Sequence, residues 1–189
     1  MPTPDSSPEL FTASDMARFC QVDLKTIHNW ADRGTIRHFR TQGRHLRFHR
    51  GDVVDFLNQF GYPIPEAISS GKPRVAAVDD DPNALAALRR VLARRFDLTV
   101  FADPFDALIA VGTTQPDALI LDIRMPGMDG VRFLERLVAG DATAHIRTVV
   151  YSSHEDLREA AMQAGARAFV MKGAVAELRE SLEKLTGLG

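Results

Sequence analysis

Short, mainly apolar runs alternate with helical patterns through the second half of the chain. The runs at 74–78, 118–121, 148–151 and 168–171 each stop at a charged or hydroxyl side chain. Such runs are too short for buried helices, and their lack of alternation is typical of parallel strands covered on both faces. Strands repeated with helices in this way predict an α/β fold with a doubly wound parallel sheet.

Polar side chains directly follow each of these runs. Asp79 and Asp80 follow the first, Asp122 the second, Ser152 the third and Lys172 the fourth. Because the carboxyl ends of parallel strands meet at one edge of a sheet, we expect these five side chains to lie together. Carboxylates this close repel one another unless a cation is present, and hard oxygen ligands suit Mg²⁺. The pattern predicts a site for a metal ion and a phosphoryl group.

In order and spacing, the motifs of residues 74–189 resemble those of response-regulator receiver domains. The resemblance implies a flavodoxin-like, five-stranded parallel sheet with the strand order 2-1-3-4-5. The resemblance implies that Asp122 accepts a phosphoryl group from a sensor histidine kinase or phosphotransfer protein. It also implies that Lys172 binds the phosphoryl oxygens. Mg²⁺ would be bound by Asp79, Asp80, Asp122 and the backbone carbonyl of Arg124.

The same resemblance assigns two switch residues, and at one position the chain differs from the usual pattern of the family. Ser152 would contact the phosphoryl group, and Phe169 occupies the aromatic switch position, although an aromatic residue in a buried strand is as often a core residue. Gly173 follows Lys172 where the family usually has proline, often with a cis bond. We therefore expect a trans peptide and a less rigidly held Lys172.

The N-terminal part of the chain predicts a smaller helical domain. Residues 1–9 are rich in Pro and Ser, which predicts a disordered tail. Thr12 and Asp15 form a capping box for a helix over 13–19, and after a three-residue turn a second helix runs over 24–33. This is the helix-turn-helix pattern. Two β-like stretches around 41–43 predict a hairpin or wing, and a closing helix follows over 51–60.

A strongly basic strip crosses this domain. Between Arg33 and Arg50 there are six arginines and no acidic residue, with His38, His45 and His49 as further donors. Such a strip attracts the phosphate backbone of nucleic acid, with binding that weakens as salt rises. The four histidines of the domain lack the paired spacing of a metal site.

The helix-turn-helix resembles that of the excisionase and mercury-resistance-regulator superfamily of winged helices. The likeness lies in the segments Thr-Ala-Ser-Asp-Met-Ala, Thr-Ile-His-Asn-Trp and Gly-Arg-His-Leu-Arg-Phe. It implies that the second helix enters the major groove while the wing contacts the backbone or minor groove. The implied DNA-binding residues are Lys25, Thr26, His28, Asn29, Arg33, Arg37, Arg40, Arg44, His45 and Arg47.

Composition adds few further limits. With 189 residues, 45% hydrophobic and 25% charged, the chain suits one or two globular domains. No apolar stretch approaches a membrane span and no signal peptide opens the chain, so we expect a cytoplasmic protein. Cys20 is the single cysteine, which excludes a disulfide framework. The formal net charge of the whole chain is −2, so the basic strip is a local excess of positive charge.

These observations predict a winged helix-turn-helix domain over 10–60, a Pro-containing linker over 61–73 and a receiver domain over 74–189. Our leading hypothesis is a two-component response regulator that is not an enzyme, in which phosphorylation controls DNA binding and transcription. We expect a homodimer at least when the chain is phosphorylated. Two alternatives remain open: a signalling adaptor whose first domain binds a protein partner, and a phosphate sink.

Overall fold

A three-stranded antiparallel sheet and three helices form the N-terminal unit in the computed structural model, which describes residues 10–188. The strands occur in the order β1-β3-β2. A fourth, short helix, α4, follows. The elements are β1 (Leu10–Thr12), α1 (Ala13–Cys20), α2 (Leu24–Asp32), β2 (Phe39–Arg40), β3 (Leu46–His49), α3 (Arg50–Phe60) and α4 (Glu66–Ser69). The expected tail over 1–9 lies outside the described residues.

The caps expected from the sequence fix the helix-turn-helix. The Thr12 side chain accepts from the Asp15 N–H and Asp15 accepts from the Thr12 N–H, which confirms the capping box. Asp23 caps α2 by accepting from the Thr26 N–H at 2.7 Å. Ile27 is fully buried between the two helices and the sheet. Strand β1 differs from our expectation, because the first element that we predicted is the helix capped by Thr12.

The second unit contains a five-stranded parallel sheet. Its strands occur in the order β10-β9-β6-β4-β5, which is 2-1-3-4-5 when they are numbered from β4, so the expected fold class is confirmed. The elements are β4 (Arg74–Val78), α5 (Pro82–Leu92), β5 (Asp97–Phe101), α6 (Pro104–Thr114), β6 (Ala118–Leu121), β7 (Arg124–Met125), β8 (Met128–Asp129), α7 (Gly130–Ala139), β9 (Arg147–Ser152), a 3₁₀ turn (Glu155–Leu157), α8 (Arg158–Gln163), β10 (Ala168–Met171) and α9 (Val175–Thr186).

Helices cover both faces of this sheet and create two apolar layers. Alternate residues of each strand enter opposite layers: Leu119 packs with Phe133 of α7, whereas Ile120 packs with Leu88 of α5 and Leu178 of α9. Burial on both faces explains why the central strands are continuous apolar runs. No helix within residues 10–188 is long and apolar enough to cross a membrane.

The two units pack against each other at the amino-terminal edge of the parallel sheet. Helix α3 lies against α9, and Ile68 of α4 is fully buried in the core of the N-terminal unit. The segment 61–73 therefore includes a short helix packed on that unit. Burial of Ile68 holds the beginning of the second unit close to the first.

Candidate functional site

Three carboxylates meet at the carboxyl edge of the sheet, opposite the N-terminal unit. Asp79, Asp80 and Asp122 each offer one oxygen, and these atoms lie within 4.8 Å of one another. Asp79 and Asp122 are buried and Asp80 is exposed. We call these three residues the acidic cluster. Hard oxygen donors at this spacing, with one side open to water, fit Mg²⁺, which retains part of its water shell in protein sites.

A hydroxyl and an ammonium group contact the acidic cluster directly. Ser152 Oγ donates to Asp122 Oδ1 at 3.0 Å, and Lys172 Nζ donates to Asp122 Oδ2 at 2.7 Å. Lys172 Nζ also lies 2.7 Å from Asp79 Oδ2. The five side chains that the sequence places at strand ends are therefore in one site.

Burial and charge shift two pKa values here in the same direction. Burial raises the pKa of Asp79 above its ordinary value, although hydrogen bonds from Lys172 and the Asp81 N–H oppose the change. Burial alone would lower the pKa of Lys172, but hydrogen bonds to Asp122 and Asp79 outweigh it and the pKa is raised. Lys172 is therefore a fixed positive charge beside Asp122.

A close backbone contact positions the loop after Asp122. The Gly130 N–H donates to the Ile123 carbonyl at 3.0 Å, and a Cβ on Gly130 would lie 2.5 Å from Ile123 Cα. Only glycine allows the backbone at position 130 to lie this close to Ile123. The Arg124 N–H donates to Asp122 Oδ1 at 3.3 Å, which places Arg124 beside the acidic cluster. Its carbonyl as a metal ligand remains a prediction.

Gly173 holds the lysine loop in a way that proline could not. Its φ of 101° lies in the left-handed region, and its N–H donates to the Tyr151 hydroxyl at 2.9 Å. The Lys172 N–H donates to the Ser152 carbonyl at 3.0 Å. Proline has a φ near −65° and no N–H. The loop that we expected to be less rigid is thus tied to the neighbouring strand, and no peptide within residues 10–188 is cis.

Phe169 faces inward in this structure. It is buried in the layer formed with α7 and α8. The Arg158 guanidinium lies 4.7 Å from its ring centroid and donates to its carbonyl at 3.0 Å. Arg158 also forms an ion pair with Glu155, in which Nε of Arg158 lies 2.6 Å from Oε1 of Glu155. An outward movement of the ring would therefore displace Arg158.

The expected DNA-binding residues form an exposed surface on α2 and the wing. Lys25, His28 and Asn29 are exposed on α2, while Thr26 is half-buried. The exposed members outside α2 are Arg33, Arg37, Arg40, Arg44 and His45, and Arg47 is half-buried. An ion pair of 2.8 Å between Arg40 and Asp32 fixes the wing to the end of α2.

Part of the basic strip has a different environment from the one we expected. Arg50 is buried, and it donates to the Thr186 carbonyl at 2.9 Å and to the Ile68 carbonyl. His49 stacks on His145 of the second unit. These two residues belong to the contact between the units, so treating them as donors to DNA was wrong. Arg37 is exposed, but it donates to the Ala144 carbonyl at 2.8 Å.

A buried ion pair between the units was missed by the sequence analysis. Arg147, the first residue of β9, lies 2.8 Å from Asp52 and 2.7 Å from Asp55, both on α3. Arg147 and Asp52 have only 2% and 3% of their side chains exposed. Two signals were available in the sequence. Arg147 is a charged residue at the start of a buried strand, and Asp52 is a charged residue within the apolar stretch of α3. Neither signal predicts that Arg147 and Asp52 form a pair.

A parallel sheet in this order with an acidic cluster at its carboxyl edge defines the receiver class of α/β domains. Residues 75–183 match the family model of the response regulator receiver domain, and residues 10–60 match that of a helix-turn-helix domain. The chain belongs to the response regulator receiver domain family.

Curated relatives share the receiver part of the chain. The transcriptional regulatory protein PrrA of Mycobacterium leprae is 40% identical over 101 residues, which are 53% of this chain and 43% of PrrA. A protein-glutamate methylesterase/protein-glutamine glutaminase of Hahella chejuensis is 34% identical over 122 residues, 62% of this chain and 33% of that protein. The matched region thus spans less than half the length of these relatives.

A solved structure agrees with the fold. The receiver domain of a sensor histidine kinase from Pseudomonas aeruginosa has a TM-score of 0.57 and 22% identity, and the match covers 62% of this chain and 99% of that one. That domain was solved with a magnesium ion coordinated in its active site cleft.

Proposed function

We propose that this chain is a two-component response regulator in which Asp122 receives a phosphoryl group and the N-terminal unit binds DNA. The observation that carries the proposal is the surroundings of Asp122. One carboxylate is contacted by a hydroxyl and an ammonium group, with two further carboxylates beside it. Membership of the receiver family supports the same chemistry.

The proposed reaction transfers a phosphoryl group from a phosphohistidine of a partner kinase or phosphotransfer protein. An oxygen of Asp122 attacks phosphorus, the new O–P bond forms as the N–P bond breaks, and the imidazole leaves. Negative charges meet in this step, so catalysis depends on positioning and electrostatic stabilisation. Lys172 supplies positive charge within hydrogen-bond distance of Asp122.

Residues of the acidic cluster would hold Mg²⁺, with the Arg124 carbonyl as a further ligand. When bound, the ion supplies positive charge that offsets the charge of the phosphoryl group. Ser152 and Phe169 are the proposed switch pair. The Ser152 hydroxyl already donates to Asp122, so it is placed to donate to a phosphoryl oxygen after transfer.

The helix-turn-helix match and the exposed basic residues support DNA as the output rather than an enzymatic activity. Helix α2 would enter the major groove, and Arg44 and His45 at the wing would contact the backbone. A single small domain binds a short site, so we propose a homodimer on paired half-sites.

Labelling tests the acceptor. The full chain is incubated with phosphoramidate and Mg²⁺, and we expect a mass gain of one phosphoryl group. Asp122→Asn should abolish the gain, whereas Asp97→Asn, an exposed aspartate on β5, should not. Persistent labelling of Asp122→Asn would overturn the assignment.

Binding to duplex DNA tests the output. We expect a salt-dependent affinity that changes when Asp122 carries beryllofluoride. The two alternatives give other results. A protein-binding adaptor would bind no duplex at about 50 mM salt. A phosphate sink would be labelled at Asp122 but would show the same DNA affinity with and without beryllofluoride.

A further inference from the structure

Strand β9 carries a functional group at each end. At its carboxyl end Ser152 donates to Asp122 Oδ1, and at its amino end Arg147 pairs with Asp52 and Asp55 of the N-terminal unit. All six residues of the strand are buried, and it is paired on both sides, with β6 and β10. A strand held in this way moves as a stiff element, so its two ends are mechanically connected.

The ion pair at the amino end is sensitive to small displacements. Because Arg147 and Asp52 are almost fully buried, a shift that lengthens their contact leaves charges without compensation by water. A Cβ on Gly51 would lie 3.3 Å from the Arg147 Cζ, so the guanidinium has little free space. Packed interfaces of this kind change between discrete arrangements rather than gradually.

We propose that the brace, defined as Arg147 with Asp52 and Asp55, transmits the state of Asp122 to the DNA-binding unit. The inference rests on the proposed function, because a phosphoryl group on Asp122 is its input. Phosphoryl oxygens draw the Ser152 hydroxyl, β9 carries the displacement to Arg147, and the contact between the units loosens.

Loosening the brace affects the DNA-binding surface in two ways. Helix α3 carries both acidic partners of the brace, and its Phe56 packs on Trp30 of α2 at 5.2 Å. A shift of α3 therefore changes the Phe56–Trp30 contact that positions α2. Separation also frees Arg37 from the Ala144 carbonyl for a phosphate contact. Because release of Arg37 adds a phosphate contact, we expect DNA affinity to rise, by the roughly 5- to 150-fold typical of coupled sites.

Trp30 is the only tryptophan of the chain and provides a direct readout that needs no DNA. The test measures Trp30 emission of the full chain before and after addition of Mg²⁺ and beryllofluoride. We expect a change in the wild type and none in Asp122→Asn. The brace variants are Asp52→Asn and Asp55→Asn, and the latter changes a side chain that is 40% exposed and leaves the buried Asp52 in place. Asp141→Asn, at an exposed position outside the brace, is the matched control.

We expect Asp55→Asn and Asp52→Asn to reduce the beryllofluoride-induced change at least about twofold, while labelling of Asp122 stays at the wild-type level. Equal changes in the brace variants and in Asp141→Asn would overturn the brace as the route. An unchanged Trp30 emission in a wild type that is labelled at Asp122 would overturn the coupling and leave the proposed function standing. Absence of labelling would overturn both.

Discussion

The imidazole rings of His49 and His145 stack across the contact between the two units, with their centroids 3.5 Å apart and their planes within 6° of parallel. Burial lowers the pKa of His145 to about 3, and the proximity of His49 and the positive charges of Arg147, Arg37 and Arg74 act in the same direction. Burial likewise lowers the pKa of His49 to about 4, assisted by Arg147. The folded chain therefore keeps both rings neutral.

This stack predicts a loss of stability in mild acid. An unfolded histidine titrates near 6.5, so the unfolded chain takes up protons first as the pH falls below that value. The free energy of unfolding should decrease from about pH 6.5 towards pH 4, by at most about 1.4 kcal/mol per pH unit for each ring. Urea unfolding at several pH values in this range measures the slope of the unfolding free energy against pH. His145→Asn should reduce it, whereas His28→Asn, at an exposed position on α2, should not.

Gly173→Pro should destabilise the chain and slow phosphorylation. Proline cannot adopt the φ of 101° and lacks the N–H that donates to Tyr151. We expect a loss of about 3 kcal/mol in urea unfolding and a lower rate of labelling, because Lys172 is displaced. Tyr151→Phe removes only the hydrogen bond and should cost about 1 kcal/mol. A Gly173→Pro variant that is labelled at the wild-type rate would contradict our account of this loop.

Gly130→Ala tests the close approach behind Asp122. The added methyl group would lie 2.5 Å from Ile123 Cα, so the backbone of one or both segments must move. We expect a loss of about 1–3 kcal/mol in unfolding free energy, together with weaker Mg²⁺ binding because Ile123 is adjacent to Asp122. Gly112→Ala is the control, since a Cβ there has no neighbour within 4 Å. Equal stabilities of the two variants would refute the steric argument.

Arg44→Gln should weaken DNA binding to all sequences alike. Arg44 is exposed at the turn of the wing, where a phosphate contact carries no base information. Losing one such contact should lower the slope of log affinity against log salt by about 1 and leave stability unchanged. Arg94→Gln, at an exposed position in the receiver, should change neither quantity. A loss confined to particular sequences would make Arg44 a base-reading residue.

The sequence was sufficient to predict that the acidic cluster, Ser152 and Lys172 meet at the carboxyl edge of the sheet, because each of these side chains follows an apolar run. Asp122 and Lys172 lie 50 residues apart, yet the rule that parallel strands end at one edge brings them together. No comparable rule relates Arg147 to Asp52, whose contact depends on how the two units pack. Strand β1 has only three residues, too few to show alternation, and its formation depends on pairing with β3.

The positions of the two units on the sheet also bear on how the proposed partners could reach the chain. The N-terminal unit contacts the amino-terminal edge, whereas Asp122 lies at the carboxyl edge. A kinase that approaches Asp122 therefore meets a surface distant from α2 and the wing. Under the proposed function, a kinase at Asp122 and DNA at α2 would use opposite sides of the chain, so the two partners need not compete for one surface.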